Sequence, residues 1–396
     1  MPEAVIVEAV RTAAGKRGGR LAAWHPVDLL GATLAGLLDR AGVDPERVDD
    51  VIGGCVDQVG EQALNVTRNA WLGAGLPESV PATTVDRQCG SSQQALHFAA
   101  QGVMAGSYDI AIACGVESMS RVPMMSNIGG ADPFGEGLLA RYPEGLLPQG
   151  ISAELIAARW SVTREEADAI ALASHRRAAA ATDSGRFADE IMPVKVTLAD
   201  GTVAEHSTDE GVRPETSAEA LSGLRPAFHS PQVAASRPEL PWIVTAGNAS
   251  QISDGASALL VMAREVAVAL GCTPRWRVGT MALAGTDPIT MLTGPIPATR
   301  KALDRSGLSV ADIDHFEINE AFATVVAAWL RELRADPEKV NPRGGAIALG
   351  HPLGASGGRL LTTMLHALEQ TGGRFGLQSM CEGGGLANAT IVERLG

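Results

Sequence analysis

The chain has 396 residues, a formal net charge of −13, 45% hydrophobic residues and 45 glycines. This length predicts two or three domains, and the glycine-rich, aromatic-poor composition is typical of α/β proteins with many strand–helix turns. No Lys/Arg-rich stripe and no run of about 20 apolar residues occurs, which argues against a nucleic-acid partner and predicts no membrane span. An anionic substrate would need a local basic patch that works against the overall charge.

The first predicted element is a β-strand in "MPEAVIVEAVRT", residues 1–12. This start has neither the basic region nor the cleavage site of a signal peptide, so we expect a cytoplasmic protein. The cysteines form no Cys-x-x-Cys pair, which disfavours both a disulfide framework and a zinc site. We expect reduced, individually placed thiols and no metal; the thiols are Cys55, Cys89, Cys114, Cys272 and Cys381.

An internal repeat is the strongest organisational signal in the chain. Residues 38–54, "LDRAGVDPERVDDVIGG", resemble residues 303–319, "LDRSGLSVADIDHFEIN", at an offset of 265 residues that also places Ser91 on Ser356. A further match, at an offset of 267 residues, places Cys114 on Cys381. In each half we expect a strand, a turn rich in glycine and serine, and then a helix.

The repeat predicts an α/β fold of two similar halves, near residues 1–120 and 273–396. The runs "DIAIAC" and "SALLVM" lack polar alternation, as strands covered on both faces do. Two such halves pack most economically as two sheets with helices between and outside them, which is a layered αβαβα core.

Residues 121–248 have a different character and are predicted to form an inserted loop domain over the core. The segment "TREEADAIALASHRRAAAATDSG" predicts a helix with a capping box from Thr163 to Glu166 and a stop at Gly185. The segment "HSPQVAASRPELPW" predicts an exposed, Pro-rich loop. Residues 249–272 then return to the first half, so the expected division is 1–120 with 249–272, 121–248, and 273–396.

Cys89 lies in "TVDRQCGSSQQALHFAAQGVMAG", where an apolar run gives way to small polar residues and a helical pattern. A helix N-terminus exposes unpaired N–H groups and favours a thiolate. A lone cysteine at a turn is nevertheless more often inert than catalytic. Cys55 and Cys114 keep that inert interpretation because they lie in apolar strand patterns, and Cys272 has no partner signal.

Four polar or glycine-rich turns are candidates for a site: residues 88–92, 317–323, 344–358 and 380–385. Taken singly, His351 fits a satisfied turn histidine beside Pro352, and Asn319 fits the cap of a helix that begins near Glu320. The repeat places three of these turns at corresponding strand ends, where α/β sites assemble. The coincidence favours a site.

The blocks "VDRQCGSSQQA", "INEAFA", "GGAIALGHPLGASGGR" and "CEGGGLANATIVE" together resemble the thiolase family, the acetyl-CoA acyltransferases, over almost the whole chain. The resemblance implies cleavage of a 3-ketoacyl-CoA by CoA, or the reverse Claisen condensation. It further implies CoA as a co-substrate, no permanently bound cofactor, and a homodimer or homotetramer.

The resemblance also implies roles for single residues. Cys89 matches the nucleophile that becomes a thioester, with a pKa lowered by the helix behind it, and His351 matches the histidine that activates it. Cys381 matches the acid/base that handles the α-proton of acetyl-CoA. Asn319, through a water, and His351 match a first oxyanion site; the backbone N–H groups of Cys89 and Gly383 match a second.

Five further residues are expected to bind CoA. Ser250 matches a contact to the pantetheine arm, and Arg213 is expected to meet the nucleotide phosphates. Leu224, Ala227 and Phe228 are expected near the adenine. For Arg213 the alternative, a solvated surface helix, stays open.

Three departures from the family pattern bear on the substrate. Glu382 stands where an apolar residue is usual, and Pro148 with Gln149 replaces the His-Met pair of acetoacetyl-specific members. The loop after Phe228 is also longer. These features favour a degradative thiolase of fatty-acid or lipid β-oxidation with a bulkier acyl chain over a biosynthetic acetoacetyl-CoA thiolase.

Two other classes of protein compete with a thiolase. A ketoacyl synthase uses two histidines beside its cysteine, whereas Asn319 takes the place of one of them here and Cys381 is extra. A non-catalytic CoA or lipid carrier on a thiolase scaffold needs none of the four candidate catalytic side chains.

Overall fold

The structure is a computed structural model that describes residues 2–143, 145–198 and 200–396. The first half of the chain builds a sheet with the strand order β4–β3–β5–β8–β1, and a short β2 pairs with β8. The strands are β1 (Ala4–Arg11), β2 (Gly15–Lys16), β3 (Asp50–Gly54), β4 (Ala82–Val85), β5 (Ile110–Ser118) and β8 (Ser253–Ala263). Every residue of β5 and β8 is buried, as their continuous apolar runs predict.

The second half builds a sheet with the strand order β10–β11–β12–β9. These strands are β9 (Trp276–Gly285), β10 (His315–Ile318), β11 (Phe375–Glu382) and β12 (Leu386–Arg394). A short antiparallel ladder, Val5 with Arg277 and Ile6 with Trp276, joins β9 to β1. The two half-sheets therefore form one ten-stranded sheet.

Helices cover and separate the two half-sheets. The helices of the halves are α1 (Pro26–Ala41), α2 (Val66–Gly73), α3 (Ser91–Met104), α9 (Arg264–Ala269), α10 (Pro295–Ser306), α11 (Ala323–Leu333), α12 (Ala346–Leu349) and α13 (Leu353–Thr371). Helices α3 and α13 pack against each other and against both half-sheets, while α1 and α10 pack on the outer faces. This is the predicted αβαβα layering. Among the described residues, none of the helices combines the length and apolarity that crossing a bilayer requires.

The same order of elements occurs in both halves, as the repeat predicts. The partner of β4 in the second half is reduced to a single bridge between Val340 and Phe316. The predicted strand before the second glycine-rich turn is therefore wrong. The small residues around Ser356 also lie inside α13 rather than in a turn, because the helix begins at Leu353.

Strand pairing corrects one detail of the repeat. Gly53 of β3 pairs with Cys114 of β5, and Ile318 of β10 pairs with Ser379 of β11. The offset is 265 residues in both strands, so the earlier value of 267 was two residues out. Cys381 corresponds to Val116 rather than to Cys114, and Glu382 corresponds to Glu117.

The residues between β5 and β8 contain α4 (Gly135–Arg141), α5 (Gln149–Trp160), α6 (Arg164–Asp183), β6 (Val194–Thr197), β7 (Val203–His206), α7 (Ala218–Ser222) and α8 (Pro231–Ser236). Helix α6 has its predicted cap, because the Thr163 side chain accepts the Glu166 backbone N–H, and Gly185 follows the helix with φ +68°. The predicted loop after His229 instead contains α8, since Ser230 caps a helix with a proline at its start.

Candidate active site

Cys89 lies in the sharp turn that joins β4 to α3. Gln88 adopts the left-handed conformation with φ +48°, which is uncommon for a residue with a side chain. Its backbone N–H donates to Asp86 Oδ1 at 2.6 Å, and Ser91 Oγ donates to the Gln88 carbonyl at 2.6 Å. These bonds hold the turn and direct the Cys89 side chain toward Met119 and Leu353, with which it packs.

The resting Cys89 thiol is neutral. It is only 4% exposed, and burial raises the pKa of the Cys89 thiol well above its ordinary value, with further increases from Cys381 and Glu382. The expectation that the helix lowers this pKa is therefore wrong for the resting protein. Gly90 is the N-cap of α3, so Cys89 lies outside the helix, in a dry pocket. Its deprotonation requires a base.

His351 is held in the tautomer that a base needs. Its Nδ1 lies 2.6 Å from Ser356 Oγ, and that hydroxyl donates its one hydrogen to the Pro352 carbonyl at 2.8 Å. Because the hydroxyl hydrogen is already used, Nδ1 must carry the proton and Nε2 is the free acceptor. Burial, aided by the Arg359 charge, lowers the pKa of His351 to about 3, which keeps the resting ring neutral.

Asn319 joins His351 to Cys381. Its Nδ2 lies 3.5 Å from His351 Nε2 and 3.9 Å from Cys381 Sγ. The next helix, α11, begins at Ala323 with Phe322 as its N-cap, so the capping interpretation of Asn319 is wrong. The amide is instead a buried donor shared by two candidate catalytic groups.

Cys381 is fully buried near the end of β11. Burial raises the pKa of its thiol to about 12, against a smaller lowering by the Asn319 hydrogen bond. Strands β10 and β11 are parallel neighbours, and this pairing brings Asn319 and Cys381 to one edge of the sheet. A thiol with so high a pKa keeps its proton until a strong base appears beside it.

Gly383 makes the turn after β11 approach the Cys89 loop. A Cβ at Gly383 would stand 2.8 Å from Gln88 Oε1, closer than real side chains come. The following Gly384 and Gly385 both have φ +78°, which favours glycine. The absence of a side chain at Gly383 therefore permits the close approach that the sequence predicts.

A cavity of about 900 Å³ opens beside His351, a size suited to a large organic ligand. Four predicted CoA residues line it: Ser250, Arg213, Ala227 and Phe228. Leu224 is not among the lining residues; it packs at the exposed rim near Gly247.

Lys16 and Arg17 also line this cavity, and sequence reasoning missed them. Together with Arg213 they supply the local basic patch that an anionic substrate requires in a chain of net charge −13. The visible signal was the short basic run "GKRGGR" at residues 15–20.

Phe228 lies deeper than the expected adenine position. Its ring packs edge-on against Phe322 with 6.0 Å between centroids, and a Cβ at Gly150 would overlap it. Gln149 lines the same cavity, so one of the residues that replace the family's His-Met pair lies on its wall. Pro148 precedes it as the N-cap of α5.

Two supporting residues were also missed. Ser356 orients His351, and its only signal was its match to Ser91 in the repeat. Glu320 accepts hydrogen bonds from Ser174 Oγ at 2.6 Å, Asn341 Nδ2 at 2.9 Å and the Ile347 N–H at 3.1 Å. These bonds tie the segment before His351 to the end of β10. Within the described ranges, no group of three or more His, Cys, Asp or Glu side chains is placed to hold a metal ion.

Comparisons with known proteins agree with this geometry. The family model for the thiolase N-terminal domain matches residues 4–265, and that for the thiolase C-terminal domain matches residues 272–394. The chain is 51% identical to steroid 3-ketoacyl-CoA thiolase FadA6 of Mycobacterium tuberculosis, over 100% of this chain and 95% of that protein. It is 44% identical to 3-ketoacyl-CoA thiolase of Bacillus subtilis, over 99% and 100% of the two chains.

A solved structure is similar over the same extent. The acetyl-CoA acetyltransferase of Bacillus anthracis superposes with a TM-score of 0.89 at 38% identity, covering 100% of this chain and 99% of that one.

Proposed function

Since this chain belongs to the thiolase family and is a degradative thiolase, an acyltransferase that uses CoA, we propose that the side chains gathered at the ends of β10 and β11 carry the reaction. The observation that carries the proposal is the unprotonated Nε2 of His351, which faces Asn319, whose amide also reaches Cys381. A ketoacyl synthase or a non-catalytic carrier has no use for this second thiol.

The first half-reaction forms the thioester. His351 Nε2 takes the Cys89 proton, and the thiolate attacks the 3-keto carbon of the substrate. The bond between the 3-keto carbon and the α-carbon breaks, and the departing acetyl-CoA enolate takes its proton from Cys381. The pKa of Cys381, about 12, suits this step, because such a thiol gives up its proton only to a strongly basic carbanion.

The second half-reaction releases the shortened acyl-CoA. The Cys381 thiolate takes the proton of the incoming CoA thiol, which attacks the thioester. The Cys89 thiolate leaves and recovers its proton from His351. Both protons are therefore returned, and the resting state is restored.

Two sets of donors stabilise the developing oxyanions in this scheme. Asn319, acting through a water, and His351 serve the enolate. The backbone N–H groups of Cys89 and Gly383 serve the tetrahedral intermediate, supported by the close approach of the Gly383 turn to the Cys89 loop.

CoA occupies the cavity beside His351. Ser250 contacts the pantetheine arm, and Arg213 meets the phosphates together with Lys16 and Arg17, supported by their shared place on the cavity wall. Ala227 and Phe228 follow the arm inward from the rim. The adenine lies outside, near Leu224.

The substrate is a 3-ketoacyl-CoA with a bulky acyl group. The relative from Mycobacterium tuberculosis is named as a steroid 3-ketoacyl-CoA thiolase, and Met119, Met124 and Gln149 line the cavity near His351. A biosynthetic preference for acetoacetyl-CoA is the competing outcome. We also propose a cytoplasmic homodimer or homotetramer, because β4 leaves a free edge beside the active-site turn. Light scattering in solution measures the assembly.

Replacing each thiol tests the assignment of roles. Cys89→Ala should form no acyl-enzyme with an acyl-CoA donor, because no sulfur remains to carry the acyl group. Cys381→Ala should still be acylated but should lose deuterium exchange at the acetyl-CoA methyl by about 10²–10⁴-fold, the usual worth of a general acid/base. Intact-protein mass and NMR of acetyl-CoA measure the two steps.

Cys114→Ala is the matched control, because Cys114 is another buried strand thiol and lies outside the site. It should keep both signals. Normal deuterium exchange in Cys381→Ala would assign the base elsewhere. A stable adduct on Cys381 in Cys89→Ala would exchange the two roles.

A further inference from the structure

Glu382 is a buried carboxyl group that the mechanism above does not use. It is the last residue of β11, directly after Cys381, and it is fully buried. Neither of its carboxyl oxygens has a hydrogen-bond partner among the described residues. The carboxyl lies against the Cys89 turn, since a Cβ at Gly90 would overlap Glu382 Oε1.

The repeat supplies an internal comparison, because Glu117 occupies the same position in the first half. The Glu117 carboxylate accepts four bonds: from the N–H groups of Val56, Asp57 and Gly354 at 2.9, 3.1 and 2.8 Å, and from Gln62 Nε2 at 2.7 Å. Each glutamate thus faces the start of the central helix from the other half. Only Glu117 finds donors there.

The surroundings of Glu382 lack a donor. Asn388 Nδ2 is already bonded to the Gly90 carbonyl at 3.0 Å, and Asn388 Oδ1 is a second buried acceptor without a partner. Both side chains meet at the same place, because a Cβ at Gly90 would also stand 2.7 Å from Asn388 Nδ2. A buried carboxylate without donors is unfavourable, whereas a carboxylic acid brings its own O–H.

We propose that Glu382 is a positioning residue, held as a neutral carboxylic acid against the Cys89–Gly90 turn, whose ionisation opposes formation of the Cys89 thiolate. The start of α3 can stabilise one negative charge nearby, and the carboxylate and the thiolate compete for it. The inference rests on the proposed role of Cys89 as the nucleophile.

The neighbouring charges agree with this assignment. Burial raises the pKa of Glu382 to about 8; the Arg87 charge lowers it and the Asp86 charge raises it. Glu382 in turn raises the pKa of both neighbouring thiols, Cys89 and Cys381. Glu117 faces Cys89 from β5 and adds a smaller increase in the same direction. Above about pH 8 the Glu382 proton goes to solvent, and a carboxylate then stands beside the nucleophile.

The test follows alkylation of Cys89 by iodoacetamide from pH 6.5 to 9 in the full-length protein, with the labelled peptide identified by mass spectrometry. Glu382→Gln mimics the neutral acid. At pH 6.5 it should react within about twofold of the wild type, because the wild-type acid is then neutral. At pH 9 it should react about tenfold faster, the effect of about one pKa unit on the thiolate population.

Two more variants complete the design. Glu382→Met, equally long and uncharged, should match Glu382→Gln at pH 9, and Glu205→Gln, which removes an exposed carboxylate, should match the wild type throughout. An equal ratio of variant to wild-type rates at pH 6.5 and 9 would overturn the proposal. Alkylation needs no acyl-CoA, so a failure of the thiolase assignment shows separately, as absence of acyl-enzyme.

Discussion

His351 has one ring nitrogen bonded to Ser356 and the other free to take a proton. The arrangement is local, because Ser356 lies one helical turn beyond Pro352 in α13 and bonds back to its carbonyl. The hydroxyl is left only as an acceptor for Nδ1, so a single side chain selects the tautomer of the base. The sequence showed His351 as a candidate but carried no sign of the tautomer.

Ser356→Ala should lower kcat/KM for 3-ketoacyl-CoA cleavage by roughly tenfold to a hundredfold. The loss is smaller than that of removing a general base, about 10²–10⁴-fold, because the imidazole remains but populates the wrong tautomer. Steady-state kinetics measure the effect, and Ser236→Ala, at an exposed position in α8, is the control. Unchanged kinetics in Ser356→Ala would mean that another group orients the ring.

Strand ends, rather than loops, place the catalytic groups. The parallel pairing of β10 with β11 places Asn319 beside Cys381, and the start of α13 brings His351 to them. Cys89 comes from the other half, through the turn before α3. Since α3 and α13 pack together in the middle layer, the two halves position one site.

Gly150 in α5 controls the place of the Phe228 ring on the cavity wall. In Gly150→Ala the new methyl group would overlap that ring and push it from Phe322 toward the cavity. We expect KM for the acyl-CoA to rise roughly tenfold, about 1.4 kcal/mol of binding, with kcat within about twofold, because the catalytic side chains are not touched.

Gly137→Ala in α4 is the matched control, since nothing lies within 4 Å of the added methyl group. Initial-rate kinetics separate KM from kcat for both variants. A fall in kcat at constant KM would instead place Phe228 at the reacting groups.

Substrate preference belongs to the whole cavity. We expect kcat/KM for medium-chain and ring-bearing 3-ketoacyl-CoAs to exceed that for acetoacetyl-CoA by at least about tenfold, because large apolar groups gain binding from Met119 and Met124 that a methyl group cannot reach. A CoA-dependent cleavage assay over a graded substrate panel measures this. A preference for acetoacetyl-CoA would favour the biosynthetic alternative.

Acid should destabilise the whole molecule through its buried neutral histidines. Burial lowers the pKa of His97 to about 3, so the folded state leaves this ring unprotonated where the unfolded chain, near 6.5, binds a proton. The stability that this histidine contributes is present above pH 6.5 and is lost as the pH falls from 6.5 toward 3.

His97→Gln, which keeps a polar partner for Thr390, removes this term. Between pH 7 and 5 the wild type should lose about 2 kcal/mol more unfolding free energy than the variant does. Urea unfolding at the two pH values measures the difference. An equal loss in both proteins would show that His97 does not titrate between the folded and unfolded states in this range.

The sequence by itself determined the duplicated architecture and the main candidates of the site. The repeat of Leu38 at Leu303 is local information, and so are the blocks around Cys89, His351 and Cys381, because each is a contiguous run of residues with its own turn chemistry. The cap of α6 at Thr163 was readable for the same reason.

Only the tertiary structure decided the protonation states and the supporting contacts. The Cys89 thiol is neutral because segments far apart in sequence exclude water from it, and burial outweighs the nearby helix. Lys16 joins Arg213 on one cavity wall although about 200 residues separate them. Glu382 lacks the donors that Glu117 finds, although both end equivalent strands. Such differences depend on which atoms packing brings within hydrogen-bond distance, and no contiguous stretch of sequence encodes that.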